Sequence, residues 1–173
     1  KKAEIIRLQS LKIKNLVGDL NLASKLEYQM QPVKLERLNL TAVLRQAAVD
    51  FMNLDLEGKY PIEFRCDEKA DICILQGDKE LLQRAVANVL SNSQQHNPEG
   101  CHISMTLQIE RQNAHIFLED DGVGITDEKL ETIRNTPHYM MGSGSGVQLR
   151  HGLGLLIVRQ IAAAHGGQVR IDH

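Results

Sequence analysis

The chain has no tryptophan and only three phenylalanines and three tyrosines in 173 residues, so its core must be built from Leu, Ile, Val, Ala and Met. Cysteine is scarce as well. Cys66, Cys73 and Cys101 form neither a C-x-x-C pair nor an even set. That spacing argues against a disulfide framework and for small buried thiols in a reducing compartment. The seven histidines show no H-E-x-x-H or comparable ligand spacing, and a zinc site is not expected. No stretch approaches the roughly 20 apolar residues of a membrane span, and no signal peptide is visible. Any membrane contact of the natural protein is therefore expected through segments not present here. A formal net charge of −2 leaves no basic footprint for nucleic acid. What remains is ordinary: 42% hydrophobic and 24% charged residues suit a globular domain that buries a core. The length allows one domain plus an appendage. The chain opens on Lys1-Lys2 within a running pattern and stops at Ile171-Asp172-His173 within another, as a cut-out piece would.

Residues 1 to about 30 read as one helix ended by Pro32. Ile6, Ile13, Leu16, Leu20 and Ala23 make a heptad-like stripe that Leu8, Leu11, Leu22 and Leu26 widen, a face suited to a helical bundle or hairpin. Docking of this helix on its own domain is the alternative. Further on, Val33 to Leu38 alternates like a short strand, and Leu40 to Leu54 has helical spacing. Pro61 to Cys66 and Asp71 to Gln76 read as two strands around a charged turn. Asp78 is placed to cap a helix running to about Gln95. Cys101 to Glu110 and Ala114 to Glu119 alternate as a hairpin about Gln112-Asn113, and a short helix is expected from Asp127. Thr136 to Arg150 holds Pro137 and the run Gly142-Ser143-Gly144-Ser145-Gly146 and reads as a loop. Leu153 to His165 is an amphipathic helix, and Gln168 to Ile171 begins a strand. Interspersed helices and hairpin-like strands predict a two-layer α+β sandwich, with a mixed, largely antiparallel sheet packed on helices and one long helix ahead of it.

Three segments carry chemistry. Asn88 and Asn92 lie four residues apart, one turn apart on one helix face, followed by Gln94, Gln95, His96 and Asn97. A carboxamide is an uncharged hard oxygen ligand that can share Mg²⁺ with phosphates. The second segment, Asp120-Asp121-Gly122-Val123-Gly124-Ile125, ends an alternating strand. Its glycines permit a tight turn, and a carboxylate there can accept a hydrogen bond from an exocyclic amine such as adenine's. In the third, Arg150-His151-Gly152-Leu153-Gly154-Leu155 leads into a helix whose free N–H groups and dipole favour phosphate. No Lys-Ser or Lys-Thr follows these glycines, and no G-x-G-x-x-G follows a strand, so neither a P-loop nor a Rossmann site fits. Each segment alone also has a bland explanation: solvated helix asparagines, a strand-to-helix turn, a glycine-rich loop.

Taken in order, the three resemble the N, G1 and G2 boxes of the GHKL ATP-binding superfamily, in the version found in the catalytic domains of bacterial sensor histidine kinases. N-x-x-x-N-A-x-K-Y is matched by Asn88 to His96, D-x-G-x-G-I by Asp120 to Ile125, and G-x-G-L-G-L by Arg150 to Leu155. The resemblance covers nearly everything from about residue 35, and the leading helix resembles the second helix of the family's dimerisation domain. It implies a Bergerat-type fold over 32–173, with an ATP lid at about 136–150 and a partial dimerisation domain over 1–31. It implies Asp120 on the adenine amine, Asn92 with Asn88 placing Mg²⁺ against the phosphates, and Gly152, Leu153, Gly154 and Leu155 at the phosphates. Gly122, Gly124 and Ile125 shape the base pocket, and Gln95, His96 and Arg150 stand at positions the family uses for nucleotide. The implied function is transfer of the γ-phosphoryl of Mg-ATP to a histidine. The implied setting is the cytoplasmic part of a membrane-anchored bacterial sensor, which dimerises through its first helix and signals to a response regulator.

The departures are specific. Gln95 and His96 replace the usual Lys and Tyr, removing a phosphate-directed charge and an aromatic ring. Arg150 replaces the first glycine of the third box and could return a positive charge. No Phe lies between Ile125 and His151, so the family's F box is degraded. The acceptor histidine, which the family follows with an acidic residue, is also missing: none of the seven histidines here has that neighbour. A non-catalytic nucleotide-sensing or dimerisation module and a GHKL ATPase or serine kinase are the alternative readings. The gyrase-type ATPases place a Glu general base where this chain has Asn88, and an amide cannot take a proton from water.

Overall fold

The computed structural model describes residues 32–128, 130–131 and 149–172, together with Ser10, Val17, Gly18, Leu20, Asn21, Leu22, Ser24, Lys25, Leu26 and Tyr28. Strand β1 spans Glu36–Asn39 and runs straight into helix α1, Leu40–Leu54. Asn39 caps that helix, its side chain accepting from the Thr41 N–H at 3.1 Å, the ordinary way to satisfy an orphan first-turn donor. Leu40, Val43, Leu44, Ala47 and Ala48, spaced for one helix face, are all buried. Strand β2 is Ile62–Cys66, a 3₁₀ turn occupies Glu68–Ala70, and β3 is Ile74–Gly77. Asp78 then caps helix α2, Lys79–His96, by accepting from the Leu81 N–H at 3.2 Å. Strands β4, Ile103–Glu110, and β5, Asn113–Asp120, form the expected hairpin, with Arg111 at a positive φ of 58° in its turn. Asp127, Glu128, Leu130 and Glu131 are helical where a short helix was expected. Helix α3 is Leu149–Ala164.

The strands form two sheets instead of one. β1 pairs antiparallel with β3, and a second sheet has the order β2-β4-β5, parallel then antiparallel. The mixed, largely antiparallel α+β character holds. The two strands expected around a charged turn, β2 and β3, both form but lie in different sheets, and Thr41 shows why. Its Oγ1 donates to the Ala70 carbonyl at 2.5 Å and accepts from the Cys73 N–H at 3.2 Å, while the Leu40 N–H reaches the Cys73 carbonyl at 2.7 Å. The turn is thereby tied to the start of α1, which carries β3 over to β1. Thr41 is 1% exposed. Replacing it by Val would leave two backbone groups unpaired in the interior, and the Thr41→Val protein is expected to lose about 2–4 kcal/mol of stability. Urea unfolding checks this, and a loss below about 0.5 kcal/mol would refute it.

Three boundaries also differ from the sequence-based expectation. Residues 33–35 turn instead of pairing, because the Lys34 N–H donates to the Asp78 carboxylate at 3.1 Å and the Leu35 N–H to the Val33 carbonyl. Gln168–Ile171 is not a strand. Its alternation is real as burial, with Val169 and Ile171 half-buried between exposed neighbours, but burial alone does not make a ladder. Helix α3 begins at Leu149, four residues earlier than expected, so Arg150, Gly152 and Gly154 are helical and not part of the preceding loop. The rest of the expected lid, 136–148, lies outside the described residues, as do Ile6, Leu8, Leu11, Ile13, Leu16 and Ala23 of the expected leading stripe.

The main core lies between the helices and the three-stranded sheet. Leu40 and Leu44 of α1, Val86 and Leu90 of α2, and Ile103, Met105 and Leu107 of β4 meet there. A second cluster joins Leu81 of α2 to Ile157 and Ile161 of α3, and Leu22 of the leading segment is buried in it with Leu26 alongside. The ends of α2 and α3 are also joined through His165. Its Nε2 accepts from the Asp78 N–H at 2.9 Å while Nδ1 faces the Ile161 carbonyl at 2.7 Å, which fixes the neutral Nδ1–H tautomer. These contacts hold α3 against α2, and the candidate site lies along that seam.

Candidate functional site

Helix α2 organises the site. Its buried stripe of Leu81, Val86 and Leu90 faces the core, and the adjoining stripe brings Asn88 and Asn92, both half-buried, to α3. There they meet Gly154. A Cβ built on Gly154 would lie 3.5 Å from Asn92 Oδ1 and 3.8 Å from Asn88 Oδ1. The absence of a side chain thus keeps the gap between the two carboxamides and the first turns of α3 clear. Asn88 Nδ2 is buried with no hydrogen-bond partner among the described residues, an expensive state for an amide donor. Leu153 packs against the Leu81–Ile157–Ile161 cluster, so its side chain serves the core; Leu155 is half-buried. The first turn of α3 contains Arg150 and Gly152, and the opening N–H groups of a helix lack intrahelical acceptors. Donors, dipole and carboxamides therefore converge on one seam, a combination suited to an anion with an accompanying hard cation.

Asp120 ends β5 beside the last turn of α2. Its Oδ2 accepts from Ser93 Oγ at 2.7 Å, and its Oδ1 accepts from Asn97 Nδ2 and the Gly122 N–H, both at 3.2 Å. Asn97 Oδ1 in turn accepts from the Val123 N–H at 2.9 Å. Asn97 is the C-cap of α2, and its carbonyl accepts from Tyr60 Oη and the Gly100 N–H, each at 2.9 Å. A side chain at Gly122 would run into the Asn97 carboxamide, so this turn requires glycine there. Gly124 has a left-handed φ of 67°, and Ile125 is half-buried beyond it. Cys101, also buried, lies close by. Burial pushes its thiol pKa up and the Asp120 and Asp121 carboxylates push it the same way, against a lowering contact from Asn97. The thiol therefore stays protonated near neutrality and is no candidate nucleophile.

The three sequence segments are thus brought to one helix: Asn88 and Asn92 to α3, and the end of the same helix to Asp120. Gln95 and His96 sit apart from this. Both are exposed on the last turn, and Gln95 Nε2 bonds back to Ser91 Oγ at 3.3 Å. Ser93 and Asn97 were missed as site residues. Their signal was available, since they repeat the four-residue spacing of Asn88 and Asn92 five positions later. No group of three or more His, Cys, Asp or Glu capable of holding a metal occurs among the described residues, and no described helix is long and apolar enough to cross a membrane.

Comparison with known proteins concerns the family and the fold. Residues 77–173 match the family model described as histidine kinase-, DNA gyrase B-, and HSP90-like ATPase. Over its whole length the chain is 26% identical to histidine kinase P4 of Formosa agariphila, of which it covers 13%. It is 25% identical, over 98% of its length, to the sensor-like histidine kinase SenX3 of Mycolicibacterium smegmatis, of which it covers 43%. It spans less than half the length of either relative. Among solved structures, the Acinetobacter baumannii histidine kinase AdeS superposes with a TM-score of 0.71 over 93% of this chain and 72% of that one, at 19% identity. That likeness concerns the fold.

Proposed function

We propose that this chain, which belongs to the histidine kinase-, DNA gyrase B- and HSP90-like ATPase family, is the ATP-binding catalytic part of a two-component sensor histidine kinase. The observation that carries the reading is the seam between α2 and α3, where an unmatched buried Asn88 Nδ2 and the Asn92 carboxamide face α3 at Gly154. These residues fit Mg-ATP. Asn92 Oδ1 offers the metal an oxygen, Asn88 Nδ2 offers a phosphate oxygen a donor, and the N-terminal turn of α3, which contains Arg150 and Gly152, adds opening backbone N–H groups and dipole. Bound Mg-ATP supplies the transferable γ-phosphoryl and much of the charge neutralisation. The protein's contribution is positioning and electrostatic stabilisation. Asp120 reads the adenine amine, on a turn shaped by Gly122, Gly124 and Ile125. Arg150 supplies the positive charge that Gln95 does not, and His96 stands at the chain position where the family has a ring. An amide at Asn88 cannot act as a base, which favours transfer to a histidine over hydrolysis.

In the same reading residues 1–31 belong to the dimerisation domain, 136–148 to the ATP lid, and the acceptor histidine lies on a helix upstream. The whole protein is then a membrane-anchored homodimer with this part in the cytoplasm, and its partner is a response regulator. The test is to incubate the chain with labelled ATP and Mg²⁺, with and without a separately supplied acceptor-helix dimer. Acid-labile, base-stable label should appear on the supplied helix only, and Asp120→Asn should lower it about tenfold or more through weaker nucleotide binding. Label on the chain alone would overturn the placement of the nucleophile, and no label on either would overturn the kinase reading.

A further inference from the structure

Asp120 is held by a side-chain clamp whose two members, Ser93 and Asn97, have no part in the reading above. Ser93 is 8% exposed and Asn97 4%, whereas Asp120 itself is exposed. The clamp is therefore built from the inside and presents its carboxylate outward. A carboxylate oxygen accepts about two hydrogen bonds. Oδ1 already takes two, from Asn97 Nδ2 and the Gly122 N–H, and Oδ2 takes one, from Ser93 Oγ. One acceptor position remains open, on Oδ2. The clamp is rigid because Asn97 is bonded at every polar atom. Its Nδ2 also donates to the Ser93 carbonyl at 2.9 Å, its Oδ1 takes the Val123 N–H, its own N–H reaches the Ser93 carbonyl at 3.1 Å, and its carbonyl takes Tyr60 Oη.

We propose that Ser93 and Asn97 are the specificity-determining positioning residues of the nucleotide site. By filling two acceptor positions of Asp120, with the Gly122 N–H filling a third, they fix it as an acceptor-only group with one open lone pair. That arrangement selects a purine bearing a 6-amino donor over one bearing a 6-oxo acceptor. The inference rests on Asp120 reading the base. An amino group placed at the open position completes the carboxylate's bonding. A 6-oxo group placed there sets oxygen against oxygen, and with the carboxylate unable to turn, the mismatch is not relieved. Sites built to hydrogen-bond one group reject its mismatched analogue strongly because the partner is left unpaired. Loosening the clamp would let Asp120 rotate away or admit water, and discrimination would fall even where affinity for ATP is only moderately reduced.

Ser93→Ala removes one donor and leaves the rest of the node intact. Asn97→Asp keeps shape and the acceptor for the Val123 N–H but replaces the donor facing Asp120 by an oxygen. Affinities of ATP and ITP for the intact chain, measured by titration calorimetry with Mg²⁺, give the ratio that tests the proposal. Wild type should favour ATP by about 100-fold, Ser93→Ala by roughly threefold to tenfold less, and Asn97→Asp by more than tenfold less. A change in stability alone would lower both affinities together and leave the ratio where it was. If Asn97→Asp fails to fold, Ser93→Ala decides. An unchanged ratio in folded Ser93→Ala overturns the proposal while Asp120→Asn still weakens ATP binding. If Asp120→Asn itself leaves ATP binding and the ratio unchanged, the base-reading role of Asp120 falls, and the clamp proposal with it.

Discussion

Gly122→Ala is expected to reduce adenine-nucleotide affinity by at least tenfold. The new Cβ would occupy the position of the Asn97 carboxamide. Asn97 cannot step aside, since its side chain is bonded to Asp120, to the Ser93 carbonyl and to the Val123 N–H, and its main chain to Tyr60 and Gly100. Overpacking of this kind costs about 1–3 kcal/mol, and here the relief available is to push the turn off α2, taking Asp120 with it. A shift worth about 1.4 kcal/mol at the base is already tenfold in affinity. Gly124→Ala is the matched comparison. Nothing lies within 4 Å of its added Cβ, and its only penalty is the left-handed φ of 67°, about 1 kcal/mol of backbone strain. Calorimetric ATP titration and thermal unfolding of both variants separate the two effects. Wild-type affinity in Gly122→Ala would mean that Asn97 is not fixed as described.

That Gly122 matters was legible in the sequence; the reason was not. The pattern Asp120, Gly122, Gly124 marks a tight turn after a strand, and a glycine in such a turn is read as conformational freedom. In the structure only Gly124 uses that freedom, while Gly122 is needed for the space Asn97 fills. Local pattern reports backbone demands within a few residues, whereas Asn97 is brought to Gly122 by the packing of α2 on the sheet. The same limit explains the strands. The alternation of Pro61–Cys66 and Asp71–Gln76 correctly marked two strands, but which strand pairs with which was set by Thr41, 29 residues from its acceptor at Ala70. The helices were read best. Their 3.6-residue spacing and the cap at Asp78 are local signals, and α1 and α2 end within about a residue of expectation. Helix α3 was placed late, because its first turn holds Arg150, His151 and Gly152, which carry no apolar period to announce it.

Asn92→Ala should abolish most Mg²⁺-dependent activity while sparing the fold. Asn92 is half-buried on α2, and its Oδ1 stands 3.5 Å from the position a Cβ on Gly154 would take. It is the polar atom nearest the first turns of α3 in that comparison, closer than Asn88 Oδ1 at 3.8 Å. A hard cation held between phosphates and one or two protein oxygens depends on each of those oxygens. Stabilising groups aimed at a transferring phosphoryl are individually worth roughly 100- to 1,000-fold in rate. Loss of the carboxamide should therefore lower phosphoryl transfer to a supplied acceptor helix by about that factor. ATP affinity should fall by about tenfold or more with Mg²⁺ present and by less than about threefold in EDTA, since base and backbone contacts persist. Asn92→Asp supplies the control in the opposite direction. It returns an oxygen ligand, now charged, so metal-dependent binding should recover in part while repulsion between carboxylate and phosphates keeps transfer slow. An equal loss of affinity with and without Mg²⁺ in Asn92→Ala would show that Asn92 contacts nucleotide directly or holds α3 in place. The metal would then have to be assigned to Asn88, whose Oδ1 is the next carboxamide oxygen, 3.8 Å from the same position.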